Sequence, residues 1–503
     1  MVVFDLDGLV LDTETLCTSV AAEVLGKRGV ALTAAAHSAA LGRTPSDAWA
    51  AVAEAAGLAA AAGPELLAES EPLLRARWGE ARPMPGALRL LRHLASLGVP
   101  VAVATSTPRA SFERKLAGKC ELRGLLTRCG ASVACGDEVE RGKPAPDVFE
   151  LAVAKLLLWR QRQQQQGPEA AAAAPGEGDD GDDDGGARRL AEARALLPRA
   201  REALAQGRVA VFEDAPSGVE GALAAGARVV VVPSLRDRGA YPSSPSVAAD
   251  VPSLLAFDPR CLGLAPFDDL VPSSSLPSPP PAAAAADDGA AAARPGPPRP
   301  RGAVPLDPPI RIAGSVVRGF GRGSRELGIP TANVDPDVLI AALAEAVTGV
   351  YVGWACVVTR RDGEPGGDGE GGSGGALVPR LAASGGGVGG EEGPGHPGGR
   401  DGLPPGVYPT AVSCGYNPQF ANAARTLEPW VLADYGPGVE FYGEEIRLVI
   451  VGYLRPEAAF VSVPALVEQI HADARDARRA LADARFARFA GDAFLTAGTG
   501  GGA

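Results

Sequence analysis

Val2-Val-Phe-Asp5-Leu-Asp7-Gly8-Leu-Val-Leu-Asp12-Thr13-Glu14 opens the chain and decides the reading of its first half. Val2 to Phe4 is a short apolar run of the kind that suits a buried strand. Asp5 and Asp7 follow where that strand ends. Spaced two apart on extended backbone, both point to one side, into the crevice at the carboxyl edge of a parallel sheet. Gly8 lets the chain turn sharply. Two crowded carboxylates are costly unless a cation or a shared proton relieves them. The pattern therefore predicts a Mg²⁺ site with one ionised nucleophile and one proton-carrying partner.

Working outward, residues 15–82 are rich in Ala, Leu and Glu, with helices expected over 18–28 and 46–56. Pro83-Met84-Pro85-Gly86 breaks that block. A helix over 87–97 and a strand over 99–104 follow, the strand ending at Thr105. Gly142-Lys143-Pro144-Ala145-Pro146-Asp147 places a lysine at a helix start, held by prolines. Residues 155–207 run into Gln163 to Gln166, poly-Ala and Asp179 to Asp184 among glycines. Such sequence buries too little to order itself, so about 160–205 reads as a disordered surface insertion. A strand over 208–212 then ends in Glu213-Asp214, with a helix over 219–225 and a strand over 229–232. Strands alternating with helices point to an α/β fold.

Asp5-x-Asp7-Gly8, the strand ending in Thr105, Lys143 beside prolines and the Glu213-Asp214 pair resemble, in that order, the four motifs of the haloacid-dehalogenase-like (HAD-like) phosphatases. The resemblance implies a Rossmannoid domain with a helical cap at about 15–82 that closes over the site. It implies Mg²⁺ held by Asp5, Glu213, Asp214 and the backbone carbonyl of Asp7. Asp5 would attack phosphorus and form an aspartyl-phosphate, and Asp7 would serve as acid and then as base. Thr105 and Lys143 would stabilise the equatorial oxygens. Arg43 reads as a solvated loop arginine.

At 503 residues the chain has room for two or three domains, and 46% apolar residues suffice for real cores. Its 65 glycines and 45 prolines cluster, so part of the length is linker. A net charge of −12 argues against nucleic acid as a partner. The seven cysteines show no CxxC pair, as expected of reduced thiols inside a cell. No apolar run has the ~18 residues that would span a membrane. No signal or transit segment precedes Val2, so a cytoplasmic protein is expected. Residues 266–305, rich in Pro, Ala and Ser, read as a linker, and 489–503 as a flexible tail.

Beyond the linker, 310–317 alternates as a strand. Gly319, Gly321 and Gly323 would let backbone amides approach phosphate oxygens, with Arg322 and Arg325 adding positive charge. It is not a GxxxxGK[ST] loop. Thr331 and Asn333 lie two apart, so extended backbone turns both oxygens the same way, suiting a Mg²⁺ that carries nucleotide phosphates. Pro330-Thr331-Ala332-Asn333, the strand from Thr348-Gly349-Val350-Tyr351, Thr426-Leu427-Glu428, Phe441-Tyr442-Gly443-Glu444 and an amphipathic helix over 463–482 together resemble the riboflavin kinases. The resemblance implies a closed antiparallel β-barrel with a C-terminal helix over 306–488, interrupted by a Gly-rich insertion at about 360–406. By it, Glu428 is the catalytic base that takes the proton of the ribityl hydroxyl attacking ATP. Gly319, Arg325, Val431, Ala433 and Tyr442 line ATP/ADP, Thr331 and Asn333 hold Mg²⁺, and Arg455 and Phe460 contact the flavin. Pro429-Trp430 departs from the usual x-His after the glutamate.

A HAD-like module ahead of a riboflavin-kinase module is similar to the bifunctional FMN hydrolase/riboflavin kinases of plants and algae. One half would make FMN from riboflavin and ATP, and the other would return FMN to riboflavin and phosphate. The alternatives are a phosphatase for another ester, such as a sugar phosphate, and a non-catalytic first module.

Overall fold

The computed structural model describes residues 1–40, 45–59, 62–130, 132–166, 183–235, 238–272, 302–318, 331–335, 348–359, 375–376, 406–416, 425–433, 442–458, 460 and 462–496. Gly319, Arg325 and Arg43 lie outside these residues, as do 167–182 and most of the expected linker and Gly-rich insertion. The chain divides into two compact units, one over Met1–Phe267 and one that begins at Asp268.

In the first unit the strands are β1 (Val2–Phe4), β2 (Leu11–Asp12), β3 (Arg82–Pro83), β4 (Val101–Ala104), β5 (Ser132–Ala134), β6 (Ala210–Glu213), β7 (Arg228–Val231) and β8 (Val247–Asp250). Six form one parallel sheet in the order β5-β4-β1-β6-β7-β8. β1 lies between β4 and β6, with Phe4 opposite both Val103 and Phe212. Every residue of β1, β4 and β6 is buried, which is why these runs read as continuously apolar. Phe4 stacks on Phe212 at 4.8 Å between centroids, and Phe212 meets Phe257 edge-on at 4.9 Å. The carboxyl ends of β1, β4 and β6 are thus neighbours, which sets Asp5, Thr105 and the Glu213-Asp214 pair around one crevice.

The expected cap is a set of helices over Glu14–Gly26, Ala34–Ala40, Pro45–Ala55 and Ala62–Arg77. It has its own apolar centre of Val20, Val24, Leu25, Trp49, Val52, Ala53 and Leu66. β2 and β3 pair antiparallel, so the segments entering and leaving the cap run side by side.

Of the disordered insertion expected at 160–205, the described residues are almost all helical. One helix continues through Asp147–Gln166, and two more cover Asp183–Ala195 and Leu197–Ala205. Ala193, Ala200, Ala203 and Leu204 are buried in the same core as Val148, Phe149 and Val211. Alanine at helical spacing buries enough surface to dock, and the biased composition concealed that periodicity.

The second unit's strands are β9 (Val271–Pro272), β10 (Gly302–Val317), β11 (Asn333–Val334), β12 (Gly349–Thr359), β13 (Gly375–Ala376), β14 (Val407–Gly415), β15 (Thr426–Val431) and β16 (Glu445–Arg455). The main path is β11-β10-β16-β12-β14-β15, antiparallel at every step. After five reversals β11 and β15 run in opposite directions. A further hydrogen bond, from Ala332 N–H to the Pro429 carbonyl at 3.0 Å, ties these two edges together. The return bond of that pair cannot form because proline has no N–H. Val271, Pro272 and 302–305, expected to be linker, belong to the sheet.

The helix Val463–Leu481 packs against the sheet, its start capped by Ser462 Oγ accepting from Ala465 N–H at 3.3 Å. The expected tail is ordered as far as Thr496. Ala490 and Leu495 join the core around Trp354 and Phe486, and Trp354 Nε1–H donates to the Phe486 carbonyl at 3.0 Å. Among the described residues no helix is long and apolar enough to cross a membrane.

Candidate active sites

Asp5, Glu213 and Asp214 are all buried, and one carboxylate oxygen from each lies within 4.8 Å of the others. Lys143, carried ahead of the helix Asp147–Gln166, reaches in from the side. Its Nζ donates to Asp5 Oδ1 at 2.5 Å, to Glu213 Oε1 at 2.5 Å and to the Ala104 carbonyl at 3.2 Å. Gly8 makes this closeness feasible. At φ +82° it turns the chain against the second carboxylate pair, and a Cβ there would stand 2.5 Å from Asp214 Oδ2. From behind, the Asp214 carbonyl accepts from Tyr241 Oη at 2.6 Å and from Ser234 N–H at 3.0 Å.

The electrostatics define what the cluster needs. Burial pushes Asp5 up to about 7; Lys143 opposes that shift, while Glu213 and Asp7 add to it. Asp214 is pushed well above the usual carboxylate range by burial, then by the charges of Asp5 and Glu213. Burial alone would lower Lys143, but Asp5 and Glu213 hold it above its ordinary value. One ammonium cannot balance three buried carboxylates. Oxygen donors carrying surplus negative charge in one crevice fit a hard divalent cation such as Mg²⁺.

Asp7 stands apart from that cluster. Its Oδ1 accepts from Lys115 Nζ at 2.6 Å, and its Oδ2 accepts from Thr107 Oγ1 at 2.6 Å and Thr105 Oγ1 at 3.3 Å. Thr105, fully buried at the end of β4, therefore points its hydroxyl at Asp7. The sequence reading missed Lys115 and Thr107. Lys115 sits on an amphipathic helix, Arg109–Leu116, where a lysine reads as solvated charge.

In the second unit the bond from Ala332 to Pro429 sets a register. Across an antiparallel pair, Asn333 then stands opposite Glu428 and Thr331 opposite Trp430. Ala332 and Val334 are buried while Thr331 and Asn333 are half-buried, as alternation demands. Glu428 accepts from Thr426 Oγ1 at 3.0 Å, and burial raises its carboxyl above the usual range, partly opposed by that hydroxyl. Val431 is buried and Ala433 half-buried at the end of β15. Tyr442 is exposed, with the Arg318 guanidinium 4.8 Å from its ring centroid. Arg455 and Phe460 come together at 5.7 Å. Asp473, another residue that sequence reading missed, clamps Arg455 Nε at 2.9 Å and Nη2 at 2.6 Å, and Gln469 Nε2 supports it at 2.9 Å.

Comparison with known proteins gives a match on each half. Residues 1–173 match the family of haloacid dehalogenase-like hydrolases, and residues 306–481 match that of riboflavin kinases. A bifunctional riboflavin kinase/FMN phosphatase of Arabidopsis thaliana is 30% identical over 496 residues, covering 98% of this chain and 96% of that protein. A riboflavin kinase of Homo sapiens is 32% identical over 173 residues, covering 34% of this chain and 81% of that protein. A mitochondrial (DL)-glycerol-3-phosphatase 1 of Arabidopsis thaliana is 33% identical over 272 residues, covering 53% of this chain and 74% of that protein.

Proposed function

The chain belongs to the family of bifunctional riboflavin kinase/FMN phosphatases, and from that membership we propose that its second unit makes FMN from riboflavin and ATP while its first hydrolyses FMN to riboflavin and phosphate. The observation that carries this reading is the buried cluster of Asp5, Lys143, Glu213 and Asp214 in a chain that also faces Asn333 toward Glu428.

In the first unit Asp5 is the nucleophile. It attacks phosphorus, the ester bond breaks, and an aspartyl-phosphate is left on Asp5. Asp7 gives its proton to the departing ribityl oxygen, then takes one from the water that hydrolyses the intermediate. Lys143, fixed between Asp5 and Glu213, is placed to neutralise phosphoryl oxygens as charge builds on them. Thr105 would donate to an equatorial oxygen after leaving Asp7. Asp5, Glu213, Asp214 and the Asp7 carbonyl would hold Mg²⁺. That ion, when bound, offsets the repulsion between a carboxylate nucleophile and a phosphate dianion.

In the second unit Glu428 accepts the proton of the ribityl 5′-hydroxyl as that oxygen attacks the γ-phosphate of ATP, releasing ADP. Thr331 and Asn333 would hold the Mg²⁺ that accompanies ATP. Gly319, Arg325, Val431, Ala433 and Tyr442 would line the nucleotide, and Arg455 and Phe460 the flavin. Burial gives Glu428 a higher proton affinity than a surface carboxylate, which suits a base.

The test is the full-length protein with riboflavin, ATP and Mg²⁺, and separately with FMN and Mg²⁺ and no ATP, both flavins being resolved over time. FMN should accumulate in the first mixture and riboflavin in the second. Asp5→Asn should abolish only the second reaction. The likeness to the glycerol-3-phosphatase supports a second reading, in which the first unit prefers a smaller ester. Faster phosphate release from glycerol 3-phosphate than from FMN would favour it.

A further inference from the structure

Two carboxylates two residues apart are asked to do different work, and their surroundings separate them. Asp5 is paired with Lys143 and shares the cluster of Glu213 and Asp214. Asp7 has a cation of its own. Lys115 is almost fully buried, and its ammonium meets both the catalytic loop and the turn that leaves the cap. Its Nζ donates to Asp7 Oδ1 at 2.6 Å and to Thr107 Oγ1 at 2.9 Å, and lies 4.4 Å from the ring centroid of Trp78. Thr107 Oγ1 in turn donates to Asp7 Oδ2 at 2.6 Å. Trp78 opens the short 3₁₀ turn Trp78–Glu80, where the chain leaves the cap for β3. Lys119, one turn along, donates to the Gly79 carbonyl at 2.8 Å, so the same turn is held twice.

A buried ammonium is costly unless it is paired and hydrogen-bonded. The side chain of Asp7 is about a third exposed, at 30%, and its backbone makes a single bridge to Leu11 at the start of a turn rather than belonging to a strand. Without Lys115 and Thr107 its carboxylate would keep only the longer bond from Thr105 Oγ1, at 3.3 Å, and could swing into the crevice or out to solvent. An acid–base group misplaced by 1 Å is worth about a hundredfold in rate.

We propose that Lys115 is a positioning residue for the hydrolytic reaction: with Thr107 it aims the Asp7 carboxylate, and by resting on Trp78 it ties that aim to the position of the cap's exit turn. The inference rests on the reading of Asp7 as the general acid and base. The proton moves between Asp7, the leaving oxygen and water; Lys115 makes and breaks no covalent bond.

The experiment compares full-length wild-type, Lys115→Met, Lys115→Arg, Thr107→Val and Asp7→Asn proteins on FMN and on p-nitrophenyl phosphate, with rapid mixing on the second substrate. p-Nitrophenolate leaves without needing a proton, so it isolates the first half-reaction from Asp7. For Lys115→Met the kcat on FMN should fall about a hundredfold with KM little changed. A burst of p-nitrophenol at the wild-type rate should precede slow turnover. Thr107→Val, which removes no buried charge, should show a smaller version of the same split, and Lys115→Arg should restore most of the activity. Wild-type FMN turnover in Lys115→Met, or a burst and a turnover that fall together, overturns the proposal. If Asp7→Asn hydrolyses FMN normally, the role given to Asp7 fails first. If Asp7→Asn is slow and Lys115→Met is not, only the role given to Lys115 fails.

Discussion

Ala332 donates its backbone N–H to the carbonyl of Pro429 at 3.0 Å, and this single bond sets the register between the two ends of the second unit's sheet path. Its consequence is local and chemical. One residue to either side, Asn333 faces Glu428 across the seam, so a neutral side-chain oxygen and a carboxylate share one face, as the proposed roles of metal ligand and base require. Glu428→Gln keeps the size of the side chain and its contact with Thr426 but cannot take a proton. FMN formation from riboflavin and ATP should fall by roughly 10²- to 10⁴-fold. FMN hydrolysis by the same preparation should be unchanged. Kinase activity within a factor of about two of wild type would remove Glu428 from its role.

The pH dependence of the first unit follows from Asp5. Its folded value of about 7 lies above the ordinary 3.8, so the folded chain binds more protons than the unfolded chain between those values. In chelator, this group's contribution to stability is present at low pH and is lost as pH rises toward and through 7. A bound divalent cation reverses the preference by favouring the ionised form. Unfolding curves at pH 5 and pH 8, with EDTA and with Mg²⁺, should show a larger Mg²⁺ stabilisation at pH 8. Asp5→Asn should flatten that difference. Equal Mg²⁺ shifts at both pH values would show that the cluster does not bind the ion through ionised carboxylates.

Much of this arrangement was legible beforehand, and the failures have physical causes. Asp5, Lys143 and the Glu213-Asp214 pair could be read because each sits where a strand ends or a helix is about to begin, and both boundaries leave marks in local sequence. Thr331 and Asn333 could be paired because strand alternation turns both oxygens one way, whereas Glu428 was singled out only through the resemblance to riboflavin kinases. Lys115, Thr107 and Asp473 could not be read. Each acts across a long sequence separation on a helix or turn whose local pattern suits an ordinary surface residue. The helices over Asp183–Ala195 and Leu197–Ala205 were hidden for a different reason, since poly-Ala and aspartate runs masked the spacing of the few buried alanines.

Gly8 joins a backbone and a steric constraint at the acidic cluster. Its φ of +82° costs an L-residue roughly 1–2 kcal/mol. An alanine Cβ would also stand 2.5 Å from Asp214 Oδ2, and the carboxylate would have to give way. Gly8→Ala should therefore lower the unfolding midpoint of the first unit slightly and weaken Mg²⁺ binding by tenfold or more, equivalent to about 1.4 kcal/mol. FMN hydrolysis should fall while riboflavin phosphorylation is retained. Isothermal titration with Mg²⁺ is the direct measurement, and an unchanged affinity would show that Asp214 is not one of the ligands.

Asp473 offers the matching experiment on the kinase side. It is buried, grips Arg455 through two hydrogen bonds of 2.9 and 2.6 Å, and is itself steadied by Gln469. Arg455 thereby keeps its guanidinium near Phe460, the pair assigned to the flavin. Asp473→Asn leaves a largely buried guanidinium, 13% exposed, without its counter-charge, a loss on the order of 2–3 kcal/mol in stability. The kinetic signature separates aim from folding. In protein that remains folded, the KM for riboflavin should rise about tenfold while the KM for ATP stays near wild type, because Glu428 and the Thr331–Asn333 seam lie on other strands. Gln469→Ala, which loosens Asp473 without removing charge, should move riboflavin KM in the same direction by a smaller factor. If both variants raise the two KM values equally, or lower kcat alone, Arg455 is not positioned by Asp473 for the flavin.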